Sequence, residues 1–292
     1  MITGEYTVLN GARALALPSK FGQFLHVRKG SDKGIKWQSL NNDRTVWYEA
    51  ILPITSIINN IPPQQHSVTI TLVKILHEAH LLNENILKNS EGFNVRAELT
   101  FPKNWGLGSS STLINNIAQW FGIDAFRLLE NSFGGSGYDI ACAQNDLPIV
   151  YSIKNNNPVI EPVVFNPNLK PFIYFVYLNK KQSSSSAIAS YKKLNFDIKD
   201  VIDQINKFTE AVLLSENLEQ LSNAIEGHEA VMSSILKLPT VKEKLFPDFP
   251  GNLKSLGAWG GDFIMAVCED NPKEYFDKKG YNIVLSFEDI IK

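Results

Sequence analysis

The segment 102–112 carries the residue types best suited to binding a charged ligand. It reads Pro-Lys-Asn-Trp-Gly-Leu-Gly-Ser-Ser-Ser-Thr, between a strand-like run and a helix-like run. Gly106 and Gly108 permit a tight turn and a close approach to a ligand, because glycine has no Cβ. The serines Ser109–Ser111 would form the first helical turn, where unpaired N–H groups and the helix dipole attract anions. The segment therefore predicts a polyphosphate site, at which a serine hydroxyl can also ligate Mg²⁺.

Other interpretations of these residue types are weaker. The plain alternative for the segment is a turn followed by serines that cap a helix. No G-x-x-x-x-G-K-[ST] occurs, which excludes a Walker loop, and Ser111 stands where G-x-G-x-x-G would need its third glycine. His77 and His80 are one residue short of H-E-x-x-H spacing, so an exposed helical face is favoured over a zinc site. No G-x-S-x-G elbow indicates a serine hydrolase.

The elements that must position this segment follow from periodicity and from turn residues. Alternating or strongly apolar runs predict strands at 23–27, 47–51, 93–101, 172–178, 253–256, 263–268 and 282–286. Helical spacing and caps predict helices at 68–82, 109–121 and 124–129, a further helix from Ser136, and mainly helix from 187 to 236. Residues rich in Gly, Ser, Asp and Asn predict loops at 29–43 and 154–158. The pattern indicates an α+β protein of two domains, which we place at 1–165 and 166–292.

Composition limits the partners. The chain has 292 residues, with 28 Lys and Arg against 30 Asp and Glu, a formal net charge of −2. This balance offers no basic excess for nucleic acid or an anionic membrane, and no apolar run approaches the roughly 20 residues of a transmembrane helix. We see no secretory signal, and the two cysteines cannot form a disulfide framework. We expect a cytoplasmic protein with no nucleic-acid or membrane partner.

Four segments resemble, in order, the motifs of the GHMP kinases, the group of galactokinase, homoserine kinase, mevalonate kinase and phosphomevalonate kinase. The phosphate loop, 106–111 with Pro102 before it, resembles P-x₃-G-L-G-S-S-[AS]. The first motif, 4–18, resembles G-E-[HY]-x-V-x-x-G-x-x-A-[LI]-A-x-P, and the third motif, 257–262, resembles G-A-G-G-G-D. Residues 135–141, Gly-Ser-Gly-Tyr-Asp-Ile-Ala, resemble the aspartate segment of mevalonate and phosphomevalonate kinases and indicate a bacterial subgroup.

The resemblance implies a two-domain GHMP kinase fold, with an N-terminal ribosomal-protein-like βαβ domain and a C-terminal ferredoxin-like domain. It implies ATP-dependent phosphorylation of a small-molecule hydroxyl or phosphate, in the manner of mevalonate or phosphomevalonate kinase. The alternatives are an ATP-dependent diphosphomevalonate decarboxylase and a non-catalytic nucleotide-binding homologue. ATP and Mg²⁺ are the implied cofactors, and a homodimer is considered as the assembly. The implied phosphate-binding residues are Gly106, Leu107, Gly108, Ser109, Ser110 and Ser111.

Asp139 matches the family's catalytic aspartate, which accepts the proton of the substrate hydroxyl or stabilises the attacking oxygen. Three nearby glycines, Gly134, Gly135 and Gly137, permit an unusual backbone path before it. A helix beginning at 136–137 would place the carboxylate near a positive helix end, lower its pKa and keep it ionised. An aspartate that merely stabilises a helix start is the alternative for the residue taken alone.

The resemblance assigns the remaining site residues. Ser110 matches the Mg²⁺-binding serine, and Glu130 lies where relatives place a Mg²⁺-binding acid, although an exposed helical glutamate is the alternative. Glu5 would order the site. The third motif would line the pocket through Gly257, Ala258, Gly260 and Gly261, while Trp259 replaces a glycine and puts the pocket's shape in question.

One expected residue is missing from the first motif. Mevalonate kinase relatives carry Gly-Lys a few residues before Gly-Glu, and that lysine reaches the phosphates. Counting back from Gly4, its position precedes Met1. We therefore expect the natural chain to begin upstream of Met1.

Overall fold

The computed structural model describes residues 1–88, 90–182 and 184–292. Its contacts define two compact units. The larger unit contains residues 1–20, 104–106 and 144–292, and the smaller unit contains residues 21–103 and 107–143. These units do not test the predicted domain boundary at residue 165, which stays a prediction.

The described chain contains β-strands in both units. In chain order they are β1 Ala14–Ala16, β2 Gln23–Lys29, β3 Gly34–Leu40, β4 Val46–Pro53, β5 Phe93–Leu99, β6 Ile149–Lys154, β7 Asn157–Pro162, β8 Ile173–Tyr177, β9 Asn252–Ser255, β10 Phe263–Val267 and β11 Val284–Ser286. The strands predicted from alternation and apolar runs are all present.

Helices cover a larger share of the chain. They are α1 Ile54–Ile58, α2 Ser67–Leu82, α3 Asn85–Lys88, α4 Ser109–Phe121, α5 Ala125–Ser132, α6 Tyr138–Ala143, α7 Ser184–Tyr191, α8 Ile198–Leu214, α9 Leu218–Leu236, α10 Val241–Leu245, α11 Lys273–Lys278 and α12 Phe287–Ile290. Short 3₁₀ turns occur at Thr7–Asn10, Lys103–Trp105 and Pro167–Phe172. Among the described residues, no helix combines the length and the hydropathy that a membrane crossing requires.

The smaller unit is a four-stranded sheet with helices on one face. Its strand order is β2-β5-β3-β4, in which β3 and β5 are parallel and the other pairs are antiparallel. Alternate side chains point to the core, where they pack with α2, α4 and α5 around residues such as Trp37, Leu76, Ile117 and Phe121. Burying this apolar face is the main favourable term in the unit's stability.

Strand β3 corrects the prediction of a loop over 29–43. The segment contains a strand, Gly34–Leu40, that pairs with β4 on one side and β5 on the other. Glycine, serine and acidic residues at the ends of the segment gave it the composition of a loop. Ile35 and Trp37 are buried on the core face. Pairing with two neighbours and burial of these large side chains outweigh the turn-like composition.

The larger unit contains two antiparallel sheets, β1-β6-β7 and β11-β8-β10-β9. Asn155 and Asn156 link β6 to β7 with positive φ values of 51° and 62°, as a tight hairpin requires, so the predicted loop at 154–158 is a two-residue turn. Helices α8 and α9 pack against each other, and α9 also packs on β9 and β10.

Candidate functional site

Within the described chain, the N-terminus of α4 has no side-chain cap, so its first backbone N–H groups are left without a capping partner. Its N-cap residue is Gly108, with a φ of 69° in the left-handed region, and the helix begins at Ser109 as the sequence predicted. Because glycine has no side chain, it cannot accept the first N–H groups as a serine or aspartate cap would. The Thr112 side chain fixes this turn to β2, since its Oγ1 donates to Gln23 Oε1 at 3.0 Å.

Asp139 lies against this helix start, within the smaller unit. A Cβ at position 108 would stand 3.1 Å from the Asp139 Cγ, so the carboxylate packs directly on the Gly108 backbone. The path to Asp139 uses positive φ at Gly134, Gly135 and Gly137, which are 72°, 115° and 81°. Helix α6 begins only after this path, so Asp139 lies in its first turn.

The pKa of Asp139 runs opposite to the sequence-based expectation. Burial raises the pKa of the carboxyl above its usual range, and a hydrogen bond involving the Tyr138 side chain opposes the shift without cancelling it. The expected lowering by a helix end is therefore wrong, because loss of hydration outweighs the dipole of a helix only six residues long. A carboxylate with a raised pKa is a stronger base.

These residues fit a phosphate group. The left-handed glycine removes a Cβ where a ligand would approach, and the helix that follows offers uncapped N–H groups. Ser110 is exposed, so its hydroxyl would be accessible to a hard cation such as Mg²⁺. No group of three or more His, Cys, Asp or Glu side chains in the described chain forms a ready metal cage. Mg²⁺ bound mainly through substrate phosphates does not need one.

Glu130, the other predicted metal ligand, lies on α5 with its side chain exposed. The buried face of this helix is formed by Leu128 and Leu129, which join the core of the smaller unit. Its role at a metal stays a prediction.

The third motif lies in the larger unit and surrounds a buried aspartate. Gly257 and Gly260 adopt positive φ of 65° and 78°, and Asp262 itself has a φ of 51°. A Cβ on Gly106 would overlap the Asp262 carboxylate, so these two residues are in close contact. The carboxylate accepts the Gln182 N–H at 3.3 Å, and burial raises its pKa. Asp262 thus supports the first glycine of the phosphate loop, a role that the sequence analysis missed although the residue closes the quoted motif.

Trp259 points towards the helical layer of the larger unit. Its indole N–H donates to the Pro239 carbonyl at 3.1 Å, and its backbone N–H donates to the Tyr6 hydroxyl at 2.8 Å. The ring packs on the apolar cluster that includes Tyr191 and Met232. The substituted position of the motif is therefore filled by a side chain that joins the first motif to the third.

Glu5 of the first motif lies in a buried charged cluster. Its carboxylate pairs with Lys254 of β9, and the same ammonium donates to Glu229 of α9 at 2.9 Å. His228 Nε2 lies beside Glu5 and accepts the Gly4 N–H at 3.0 Å. All four side chains of the cluster (Glu5, His228, Glu229 and Lys254) are at most 5% exposed.

Burial determines which members of this cluster carry charge. It lowers the pKa of His228 well below its usual value, and the Lys254 charge adds to the effect, so the imidazole is neutral. Burial also raises the pKa of Glu5, which Lys254 opposes. For Lys254, burial lowers the pKa, but the two glutamates outweigh it and the net shift is upwards. The sequence gives no signal for Lys254, because one lysine in a short strand is ordinarily exposed.

The predicted site residues fall into two groups. In the smaller unit the fold brings Gly108 and the three serines together with Asp139. In the larger unit it brings Gly106 to the third motif, and Glu5 to the strand that precedes that motif. That both groups act on one ligand stays a prediction.

Comparison with proteins of known structure identifies the fold of the chain. No family model matches the chain, and no curated protein matches it significantly. The mevalonate kinase of Methanococcus jannaschii is 17% identical, with a TM-score of 0.70 over 97% of this chain and 92% of that one. The Streptococcus pneumoniae phosphomevalonate kinase, solved with phosphomevalonate and AMPPNP, is 14% identical, with a TM-score of 0.67 over 95% and 92%.

A sugar kinase is similar to the same extent. The galactokinase of Lactococcus lactis, complexed with galactose, is 14% identical, with a TM-score of 0.65 over 95% of this chain and 85% of that one. These structures share the α+β architecture that the sequence predicted, and their chains are matched almost end to end. The chain therefore has the fold of the GHMP kinases.

Proposed function

We propose that this protein is an ATP-dependent small-molecule kinase that phosphorylates a hydroxyl or phosphate group. The observation that carries the proposal is the contact between the Asp139 carboxylate and Gly108, the uncapped start of α4. Phosphoryl transfer needs an anion site for the donor and a group that manages the acceptor's proton, and this contact brings the two together. The structural similarity to kinases that differ in acceptor supports the reaction class.

The backbone of the phosphate loop would hold the donor. The N–H groups of Ser109, Ser110 and Ser111 would bind its phosphate oxygens, and the Ser110 hydroxyl would contribute to a Mg²⁺ site. When bound, ATP supplies the phosphoryl group and Mg²⁺ neutralises part of its charge. Gly106 would keep its backbone close to the donor, because Asp262 fills the space on its other side.

Asp139 would act as the general base that accepts the acceptor's proton. Its carboxylate oxygen would accept the proton of an acceptor hydroxyl as the oxygen attacks, and the raised pKa strengthens it for this step. A phosphate acceptor is already ionised and needs no such base. A base with a raised pKa therefore favours a hydroxyl acceptor, and we propose a mevalonate-like hydroxy acid before a phosphorylated one.

An ADP-release screen tests the proposal. The panel contains mevalonate, phosphomevalonate, homoserine and sugars including galactose, assayed with the full chain. Asp139→Asn is the test variant and Asp43→Asn, at an exposed position of the smaller unit, is the control. We expect Asp139→Asn to lower kcat by about 100-fold or more while calorimetry shows nearly unchanged ATP binding, and the control to match the wild type.

The other outcomes are informative. Turnover by Asp139→Asn comparable to the wild type would refute its assigned role. ATP binding without ADP release for every acceptor would favour a non-catalytic homologue. Release of CO₂ coupled to ADP would indicate the decarboxylase instead.

A further inference from the structure

The outer face of the sheet in the smaller unit carries a polar groove with a volume of about 820 Å³. The groove lies on the side of β2, β3, β4 and β5 opposite to the core face, on which α2 and α4 pack. Its walls include five basic side chains, those of His26, Arg28, Lys36, Arg44 and Arg96, and two acidic ones, those of Glu49 and Glu98. The groove is therefore separate from the α4 N-terminus described above.

Strand register explains why these side chains are neighbours. His26 of β2 stands directly opposite Arg96 of β5, and Arg28 stands opposite Asn94. On the other side of β5, Asn94 is matched with Lys36 of the parallel strand β3. Because alternate residues of a strand share a face, all of these side chains point to the same surface.

The positive charge of this surface is only partly balanced. Arg44 pairs with Glu98 at 3.2 Å, and Lys36 pairs with Asp32. Within the described part of the chain, neither Arg28 nor Arg96 forms an ion pair. Glu49 also lines the groove, but it lies two strands away from Arg96, across Gln38 of β3. The two guanidinium groups therefore have no adjacent carboxylate partner among the described residues and can bind an anion.

We propose that this groove binds a small molecule carrying a diphosphate or polyphosphate group. Arginine pairs with phosphate oxygens through two parallel hydrogen bonds, and neighbouring arginines suit a ligand with adjacent phosphoryl groups. The volume lies within the range of small-molecule sites, and the chain's net charge of −2 does not favour a nucleic-acid backbone. Exposed apolar side chains on the same face, Phe24 at 59% and Ile51 at 65%, offer contacts to the organic part of the ligand.

The ring signals of His26 provide a local readout that does not depend on kinase activity. The full chain is titrated with inorganic pyrophosphate as the probe, and the imidazole resonances are followed by NMR, with the His26 signal assigned from a His26→Gln variant. The test variant is Arg28→Gln/Arg96→Gln. The control, Lys74→Gln/Arg127→Gln, removes the same charge from exposed helical positions of the same unit.

We expect a saturable shift of the His26 signal in the wild type and in the control. In the arginine variant the affinity should fall at least about tenfold, because two charge-assisted contacts are lost. Thermal unfolding checks that the arginine variant remains folded, as its exposed positions predict. Absence of a saturable His26 shift, or equal affinity in the arginine variant, would overturn the proposal. So would a shift produced by an acidic peptide or an oligonucleotide but not by pyrophosphate.

Discussion

Asp139 combines a close contact with the loop backbone and a raised pKa. Its carboxylate packs on the backbone of Gly108, and burial raises its pKa. Asp262 shows the same combination at Gly106 in the larger unit. Each glycine of the loop thus has a carboxylate close to its Cα, so a Cβ added at either position would meet a carboxyl group.

The raised pKa of Asp139 predicts a specific pH dependence. A general base must be deprotonated, so kcat/KM should fall as pH decreases through its pKa. Because burial raises that pKa, the acid limb should lie above the value of about 3.9 for an ordinary aspartate. Rates measured with a hydroxyl acceptor between about pH 4 and 8 check this.

The Asp139→Asn variant is the control for this profile. Its residual rate should show no acid limb in the same range, because the titrating group has been removed. A wild-type limb that persists in the variant would assign the titration to another group.

At the scale of the element, both ends of α4 are left-handed glycines, but their surroundings differ. Gly108 at the N-terminus has a φ of 69° and lies against Asp139, whereas Gly122 at the C-terminus has a φ of 65° and open space around it. The two glycines carry the same backbone requirement, and only one of them adjoins the proposed donor site. Gly122 therefore serves as a matched control for substitutions at Gly108.

We expect Gly108→Ala and Gly122→Ala to have similar effects on stability and different effects on activity. Each alanine should cost about 1–2 kcal/mol of unfolding free energy, the strain of a left-handed residue with a Cβ. Only Gly108→Ala should also displace the Asp139 carboxylate, which we expect to reduce kcat/KM at least about tenfold. Denaturant unfolding and steady-state kinetics measure the two effects. Equal activity in both variants would contradict the placement of the donor at this helix end.

At the scale of the whole molecule, a buried ionic cluster holds the larger unit together across distant parts of the chain. Lys254 binds Glu5 near the N-terminus and Glu229 of α9, and also donates to the Ser255 carbonyl at 2.7 Å. Burying an ion pair is costly in itself, whereas removing one partner leaves an uncompensated charge. The cluster therefore specifies how the first motif joins β9, immediately before the third motif.

We expect Lys254→Met to lower the unfolding free energy by about 3–5 kcal/mol, because two buried carboxylates lose their counter-charge. Adding Glu5→Gln and Glu229→Gln should restore most of the loss, since the remaining groups are neutral. Lys207→Met, at an exposed position of α8, is the control and should change stability by no more than about 0.5 kcal/mol. Denaturant unfolding measures all three. An unfolding free energy of Lys254→Met within about 1 kcal/mol of the wild-type value would show that the cluster does not stabilise the fold in this way.

Local pattern was sufficient for most elements of the fold. The apolar periodicity of α2 and the glycine–serine start of α4 predicted these helices to within a residue. The resemblance of four ordered segments predicted the GHMP kinase fold, which the structural comparisons confirm. Both kinds of signal are carried by residues close together in sequence, where spacing alone determines which side chains share a face. The cytoplasmic location and a homodimer stay predictions.

Residue patterns and motif order were therefore enough to predict the glycine–serine loop, the candidate aspartate and the class of fold. The placement of β3, the direction of the Asp139 pKa shift and the partners of Lys254 followed only from the folded chain. Each of these depends on burial and on contacts between residues far apart in the chain. Strand pairing, loss of hydration and ion pairing act through space, so no local pattern of residues records them.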